Sequence, residues 1–134
     1  MKNKILIIIL LSFIIVGCTK TTDPKIDSLA NCLAEKGVKE YGAFWCPNCA
    51  KQEKMFGSSF EIIKEKVYNE CDPRCDVDIK DLPIACRGKL GQTETCLAEK
   101  VDRYPTWDFP NGKRLVGVQD FQTLAKESGC EFNE

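Results

Sequence analysis

Ala43-Phe44-Trp45-Cys46-Pro47-Asn48-Cys49 reads as a short apolar strand that runs into a turn and then a helix whose first turn carries two cysteines three residues apart. The result is a dithiol at a helix N-terminus. Unpaired backbone N–H groups and the positive end of the helix dipole converge on the first cysteine, which favours its thiolate over its thiol. Cys46 is therefore expected to be the attacking sulfur. Cys49 lies one helical turn later, within reach to resolve a mixed disulfide formed on Cys46. Pro47 suits the first turn, because it lacks only an N–H that a helix leaves unbonded there. A lone CxxC also fits half of a zinc site or an inert structural disulfide. Phe44-Trp45 before it and Lys51, Gln52 and Lys54 after it favour a strand-to-helix redox turn.

Outward from this turn the chain alternates helices and strands. Towards the N-terminus, Ile26, Leu29, Ala30, Leu33 and Ala34 have helical spacing up to a stop at Gly37, and this helix carries Cys32 on or near its buried face. Residues 38–45 form the strand that feeds the turn. Glu40, six residues before Cys46, reads locally as a solvent-facing residue at a strand end. On the other side the site helix runs from Pro47 to about Phe56 and breaks at Gly57-Ser58-Ser59. Phe60, Ile62, Ile63 and Val67 continue as helix or turn, and residues 67–71 can form a second strand.

Residues 72–91 differ in character, with two cysteines, two prolines, two glycines, many charges and little periodicity. They read as an insertion loop. A Cys75–Cys86 bridge would staple it, for roughly 3 kcal/mol on the chain-entropy model. Residues 93–100 predict a short helix containing Cys96. Tyr104-Pro105-Thr106-Trp107 opens a strand, Pro110-Asn111-Gly112-Lys113 is a turn, and residues 114–118 return as a hairpin. Asp120 caps a last helix through Lys126, with Phe121, Leu124 and Ala125 inward and Gly129 as its end.

At 134 residues and 43% hydrophobic content the chain suits one domain with a real core. Lys2 and Lys4 precede an apolar run from Ile5 to Val16, shorter than the roughly 20 residues that cross a bilayer. Residues 1–17 therefore read as a signal peptide. Ile15-Val16-Gly17-Cys18 resembles the lipobox of bacterial lipoproteins, which implies cleavage before Cys18, acylation of that cysteine, a tether over residues 18–26 and a domain over residues 27–134. An ordinary secretory signal with Cys18 as a free thiol is the other arrangement. Without Lys2 and Lys4, 17 basic face 20 acidic side chains, and no basic patch argues for nucleic acid.

Nine cysteines are an odd number, and lipidation of Cys18 accounts for the odd one. The eight others, in an exported chain, point to disulfides more than to metal. The chain has no histidine, which removes imidazole ligands and every histidine-based catalytic scheme. No metal and no cofactor are expected.

The element order is helix, strand, helix, strand, helix, strand, strand, helix. With a CxxC after the first strand and a proline opening the strand before the hairpin, it resembles the thioredoxin fold. The resemblance implies an α/β architecture, a central mixed sheet flanked by helices, here with a disulfide-bearing insertion loop. It also implies that Pro105 is cis beside the dithiol, leaving the Tyr104 backbone open for strand-like pairing with a bound polypeptide, and that Glu40 is a buried acid relaying a proton to the resolving cysteine, the alternative to its solvent-facing reading. More narrowly, the chain resembles the thioredoxin-like domain fused to, or partnered with, bacterial homologues of vitamin K epoxide reductase. Cys32, the run from Tyr41 to Cys49, Glu70-Cys71-Asp72, Tyr104-Pro105-Thr106-Trp107 and Ser128-Gly129-Cys130 carry this likeness.

That resemblance implies a dithiol oxidised by a membrane quinone reductase and passing its disulfide to exported, cysteine-containing client proteins. By position it makes Cys46 the nucleophile and Cys49 the resolving thiol, and it pairs Cys71 with Cys96 and Cys32 with Cys130. A Cys71–Cys75 pair as a second redox centre is the alternative. Pro-Asn stands between the cysteines where Pro-His is frequent, so the Cys46 thiolate depends on helix N–H groups, with Lys51 as a further candidate cation. Trp45 and Trp107 are expected either to flank the sulfurs or to pack in the core. The sequence thus points to a membrane-anchored, extracytoplasmic disulfide donor. The rivals are a reductase fed by a membrane electron donor, a lipoprotein binding metal through Cys46, Cys49, Cys71 and Cys75, and a structural lipoprotein with inert disulfides.

Overall fold

A computed structural model describes residues 22–133. Residues 1–21, on which the readings of a signal peptide, of Cys18 as an acylated residue and of most of the tether fall, lie outside the described residues. The first helix, α1 (Pro24–Glu35), starts two residues before the apolar spacing does, because the Asp23 carboxylate accepts the Lys25 N–H and Pro24 takes the first helical position. It therefore begins inside the stretch that the sequence assigns to the tether. Leu29, Ala30 and Leu33 are buried, and Asp27 accepts a hydrogen bond from the Ser59 hydroxyl at 2.6 Å, tying α1 to the start of α3 (Phe60–Lys66).

Four strands form one mixed sheet in the order β2-β1-β3-β4: β1 is Lys39–Gly42, β2 Tyr68–Glu70, β3 Thr106–Asp108 and β4 Arg114–Val116. β1 runs parallel to β2 and antiparallel to β3, which pairs antiparallel with β4. With α2 (Pro47–Phe56), α4 (Thr93–Ala98) and α5 (Phe121–Ser128) completing the helices around this sheet, the fold is thioredoxin-like. The α/β architecture follows from the strand–helix alternation of the sequence.

The strand entering the site is shorter than residues 38–45. Pairing ends at Gly42, whose carbonyl accepts the Cys71 N–H at 2.8 Å, and a turn follows in which Cys46 N–H reaches the Ala43 carbonyl at 2.9 Å. Beyond Gly42 the Phe44 N–H goes to a side chain, the Glu70 carboxylate, instead of to a neighbouring strand.

The core holds Leu29, Leu33, Val38, Phe56, Ile63, Trp107 and Leu124, all 1% exposed or less. Trp107 belongs here and does not rim the sulfurs; its ring lies 6.4 Å from that of Phe56. α5 is bounded by an Asp120 N-cap and by Gly129 at φ 74°. Cys130, just beyond it, is bonded to Cys32 of α1.

The insertion at residues 72–91 is more ordered than its composition indicates. Single 3-10 turns at Pro73–Cys75, Ile79–Asp81 and Ile84–Cys86 fold it, and a Cys75–Cys86 disulfide with both residues buried closes it. The loop returns to the sheet at Gly91, whose N–H meets the Cys75 carbonyl at 2.6 Å while Gln92 N–H meets that of Glu70 at 2.7 Å. A Cβ on Gly91 would stand 2.7 Å from the Asp76 nitrogen, so only glycine permits this approach.

Candidate active site

Cys46 is the N-cap of α2, and its sulfur accepts the Cys49 N–H at 3.2 Å. Pro47 occupies the first position of the helix. Both cysteines are free, and both are nearly buried, at 5% and 6% exposed. Exposure does not rank them; their surroundings do. Burial, and then the hydrogen bond with Cys46, push the Cys49 thiol up. Of the two sulfurs, Cys46 is the one to which the helix presents an N–H and the favourable end of its dipole.

Ala43, Cys46 and Cys49 form a small apolar cluster that Tyr104 covers. The Tyr104–Pro105 peptide bond is cis, and Pro105 is buried, with its carbonyl accepting the Gly117 N–H at 2.7 Å. Gly42 lies beneath the pair: a Cβ there would stand 3.0 Å from the Cys49 sulfur and 2.7 Å from the Tyr68 ring. The close approach of strand to sulfur requires a glycine at this point.

Trp45 is the exposed wall of the site, 55% accessible, with its ring 6.1 Å from that of Tyr104 in an edge-on arrangement. It is held from behind. Its indole N–H donates to Asp72 Oδ2 at 2.7 Å, and Arg74 donates to both oxygens of the same carboxylate while standing 4.7 Å over the Phe44 ring. The hydrogen bonds from Arg74, helped by that from Trp45, hold the Asp72 carboxyl at about 2. Glu70 completes the support by accepting from Phe44 N–H, Asp72 N–H and the Tyr68 hydroxyl. Glu70 and Asp72 flank Cys71, which is bonded to Cys96. The turn before the dithiol thus hangs on residues at either side of that disulfide.

Glu40 is fully buried, and neither carboxylate oxygen has a hydrogen-bond partner among the described residues. Burial first, and the Glu53 charge second, raise its carboxyl to about 8, against the pull of Arg87. The folded value lies above the unfolded one, so the neutral group's contribution to stability is complete below about pH 4.5. It is lost progressively as pH rises towards 8. Glu40→Gln removes the titration. By urea denaturation the variant is expected to match the wild type near pH 4 and to exceed it by a few kcal/mol at pH 8. A constant difference across this range would show that Glu40 titrates normally.

Cys71 and Cys75 are bonded to Cys96 and Cys86, respectively, so they form no CxxxC pair and offer no thiolates to a metal beside Cys46 and Cys49. Lys51 is exposed on α2. Gln52, which in the sequence only helps to mark the redox turn, is buried one turn beyond Cys49 and exchanges two hydrogen bonds with the Gln119 backbone, at 2.7 and 3.0 Å, pinning α2 to the approach of α5. Its signal was a polar residue on an otherwise inward-facing helix stripe.

Fold and site together define a thioredoxin-like protein with a free dithiol at the N-terminus of the helix after β1. No protein-family model matches the chain. Over 116 residues, 87% of its length, the chain is 33% identical to the thiol-disulfide oxidoreductase LTO1 of Arabidopsis thaliana. It spans about a quarter (27%) of that protein.

Proposed function

We propose that this chain is a thiol-disulfide oxidoreductase that introduces disulfides into exported proteins. It is anchored to the outer face of a membrane through acyl chains on Cys18 and reoxidised by a quinone-linked membrane partner of the vitamin K epoxide reductase type. One observation carries the reading: of the eight cysteines among the described residues, only Cys46 and Cys49 are free, and they sit at a helix N-terminus. The six bonded cysteines favour an oxidising compartment. The similarity to the Arabidopsis oxidoreductase supports the reaction class.

In the proposed cycle a client thiolate attacks Cys46 Sγ of the oxidised pair. The Cys46–Cys49 bond breaks, and Cys49 leaves and takes up a proton, which the buried Glu40 carboxyl on β1 supplies. A second client thiolate then attacks the client sulfur of the mixed disulfide, and Cys46 leaves as a thiolate. Two electrons pass from the client dithiol to the pair. Trp45 and Tyr104 form the apolar entry that the client meets.

Direction rests on the reduction potential of the Cys46–Cys49 couple, measured by differential alkylation and mass spectrometry across glutathione buffers. A value near or above about −200 mV is expected, in the range of isomerases and oxidases. A value near −270 mV or below, at roughly the level of thioredoxin, would make the chain a reductase. Absence of any reversible couple would remove redox function altogether.

A further inference from the structure

Four of the seven large apolar side chains that stand exposed among the described residues belong to the insertion at residues 72–91: Val77, Ile79, Ile84 and Leu90. Single exposed apolar residues are ordinary, but a concentration of them on one segment marks a contact surface. Ile84 is 96% accessible and Ile79 67%. The fold holds both outward. The Ile79–Asp81 turn buries no side chain, and of the Ile84–Cys86 turn only Cys86 is buried, in its bond to Cys75. Ile79 and Leu90 also line a groove of about 570 Å³ against α3, with Ile62 as a third apolar side chain and Lys64, Lys66 and Lys89 beside them.

The insertion lies next to the point where the chain enters the domain. Arg87, whose N–H donates to the Ile84 carbonyl at 2.9 Å, pairs with Glu53 of α2 and stands 5.7 Å from the centre of the Phe60 ring, at the start of α3. Ser59, the residue before, bonds Asp27 in the first turn of α1. Glu61 and Ile62, the residues after, line the groove. Pro24 opens α1 six residues beyond Cys18, a span of at most about 20 Å when fully extended. An acyl anchor on Cys18 therefore keeps the first turn of α1, and with it the insertion, within reach of the bilayer surface.

We propose that the insertion is a membrane-docking loop: Ile79, Ile84 and Leu90 enter the headgroup region of the bilayer that holds the Cys18 anchor, and give the tethered domain one orientation. The inference rests on the reading of Cys18 as acylated, and it gives the insertion a part in the anchoring. The tether makes the bilayer the surface that these side chains meet at the highest effective concentration. The Cys75–Cys86 bond and three short turns already fix the loop, so docking orders little further backbone. Charge around the patch is mixed. Glu61 and Glu65 stand among the groove lysines, Lys64 pairs with Glu61 at 2.7 Å, and Asp76, Asp78 and Asp81 alternate with the apolar residues of the loop. The attraction is therefore apolar burial, which zwitterionic lipid supplies as well as anionic lipid does.

The test uses the full-length chain, purified from the membranes of expressing cells and reconstituted into phosphatidylcholine vesicles with brominated or plain acyl chains. Intact mass reports whether Cys18 carries acyl chains. An indole is added as Ile84→Trp, as Ile79→Trp or, on β4 at the opposite edge of the sheet from β2, as Val116→Trp. The emission each adds to that of Trp45 and Trp107 is compared between the two kinds of vesicle. Bromine is expected to quench most of the added emission of both isoleucine variants and little of that of Val116→Trp. The quenching is expected to persist at high salt, because no ionic attraction carries it. Adding Ile84→Asp to Ile79→Trp is expected to cut the ratio of docked to undocked protein at least about tenfold. Equal quenching at Ile84→Trp and Val116→Trp means that the domain has no fixed face to the bilayer and overturns the proposal. Unquenched emission in acylated protein also overturns it and leaves the anchor standing; if that emission is blue-shifted, a protein neighbour such as a second copy covers the loop instead. Protein recovered without acyl chains on Cys18 overturns the anchor and the docking together.

Discussion

Cys46→Ala is expected to reduce thiol-disulfide exchange to the background of free thiols in solution, and Cys49→Ala to accumulate client proteins as mixed disulfides on Cys46. The two cysteines are equally buried, so the asymmetry comes from their electrostatic setting. Cys46 caps α2 and receives the Cys49 N–H, and about half a positive charge resides at a helix N-terminus. Cys49 lies one turn inward, where burial and the hydrogen bond with Cys46 oppose its thiolate. Exchange proceeds through thiolates, so the first attack and the mixed disulfide belong to Cys46. Without Cys49 the mixed disulfide has no internal resolving thiol, and the adduct persists long enough to be seen by mass spectrometry or as a non-reducing gel shift. If Cys46→Ala keeps full exchange activity, or adducts form on Cys49 instead, the nucleophile has been assigned to the wrong sulfur.

The parts of this site that were legible in the sequence are those written in local chemistry. The strand-turn-helix at residues 43–49, the Asp120 cap and Gly129 stop of α5, and the hairpin turn at residues 110–113 each depend on residues a few positions apart. The parts that were not legible depend on register or on long-range charge. Lys39-Glu40-Tyr41-Gly42 is the strand between β2 and β3, buried from its second residue onward, so no alternation separates an inward glutamate from an outward one. Glu40 is placed by its pairing with Tyr68 and Trp107. That same register sends Trp107 into the core while Trp45, on the turn, stays outside. The Asp72 link to Trp45 spans 27 residues and the Arg87 link to Glu53 spans 34, distances at which sequence periodicity carries no signal. The short 3-10 turns of the insertion were missed for the opposite reason: each is a single turn, too brief to show any period.

The largest stability effect is expected at the Cys32–Cys130 disulfide, far from the chemistry. It joins positions 98 residues apart, against 25 for Cys71–Cys96 and 11 for Cys75–Cys86. On the chain-entropy model these closures contribute about 4.7, 3.5 and 2.8 kcal/mol, because the unfolded chain loses more freedom when a longer loop is closed. A domain of this size is stable by about 5 to 15 kcal/mol, so removing the first bond takes a large share. The Cys32→Ala/Cys130→Ala double variant should melt about 20 °C or more below the wild type. Its exchange chemistry should survive at low temperature, since Cys130 packs with the main core while Cys46 and Cys49 form a separate cluster with Ala43. Calorimetry of the three double variants decides the mechanism. A ranking that follows loop length places the stabilisation in the unfolded chain. If the Cys75–Cys86 variant is instead the least stable, the insertion's own packing dominates. That packing includes the buried sulfurs and the close approach at Gly91. The staple would then serve the folded loop that carries Arg87 more than it restrains the unfolded chain.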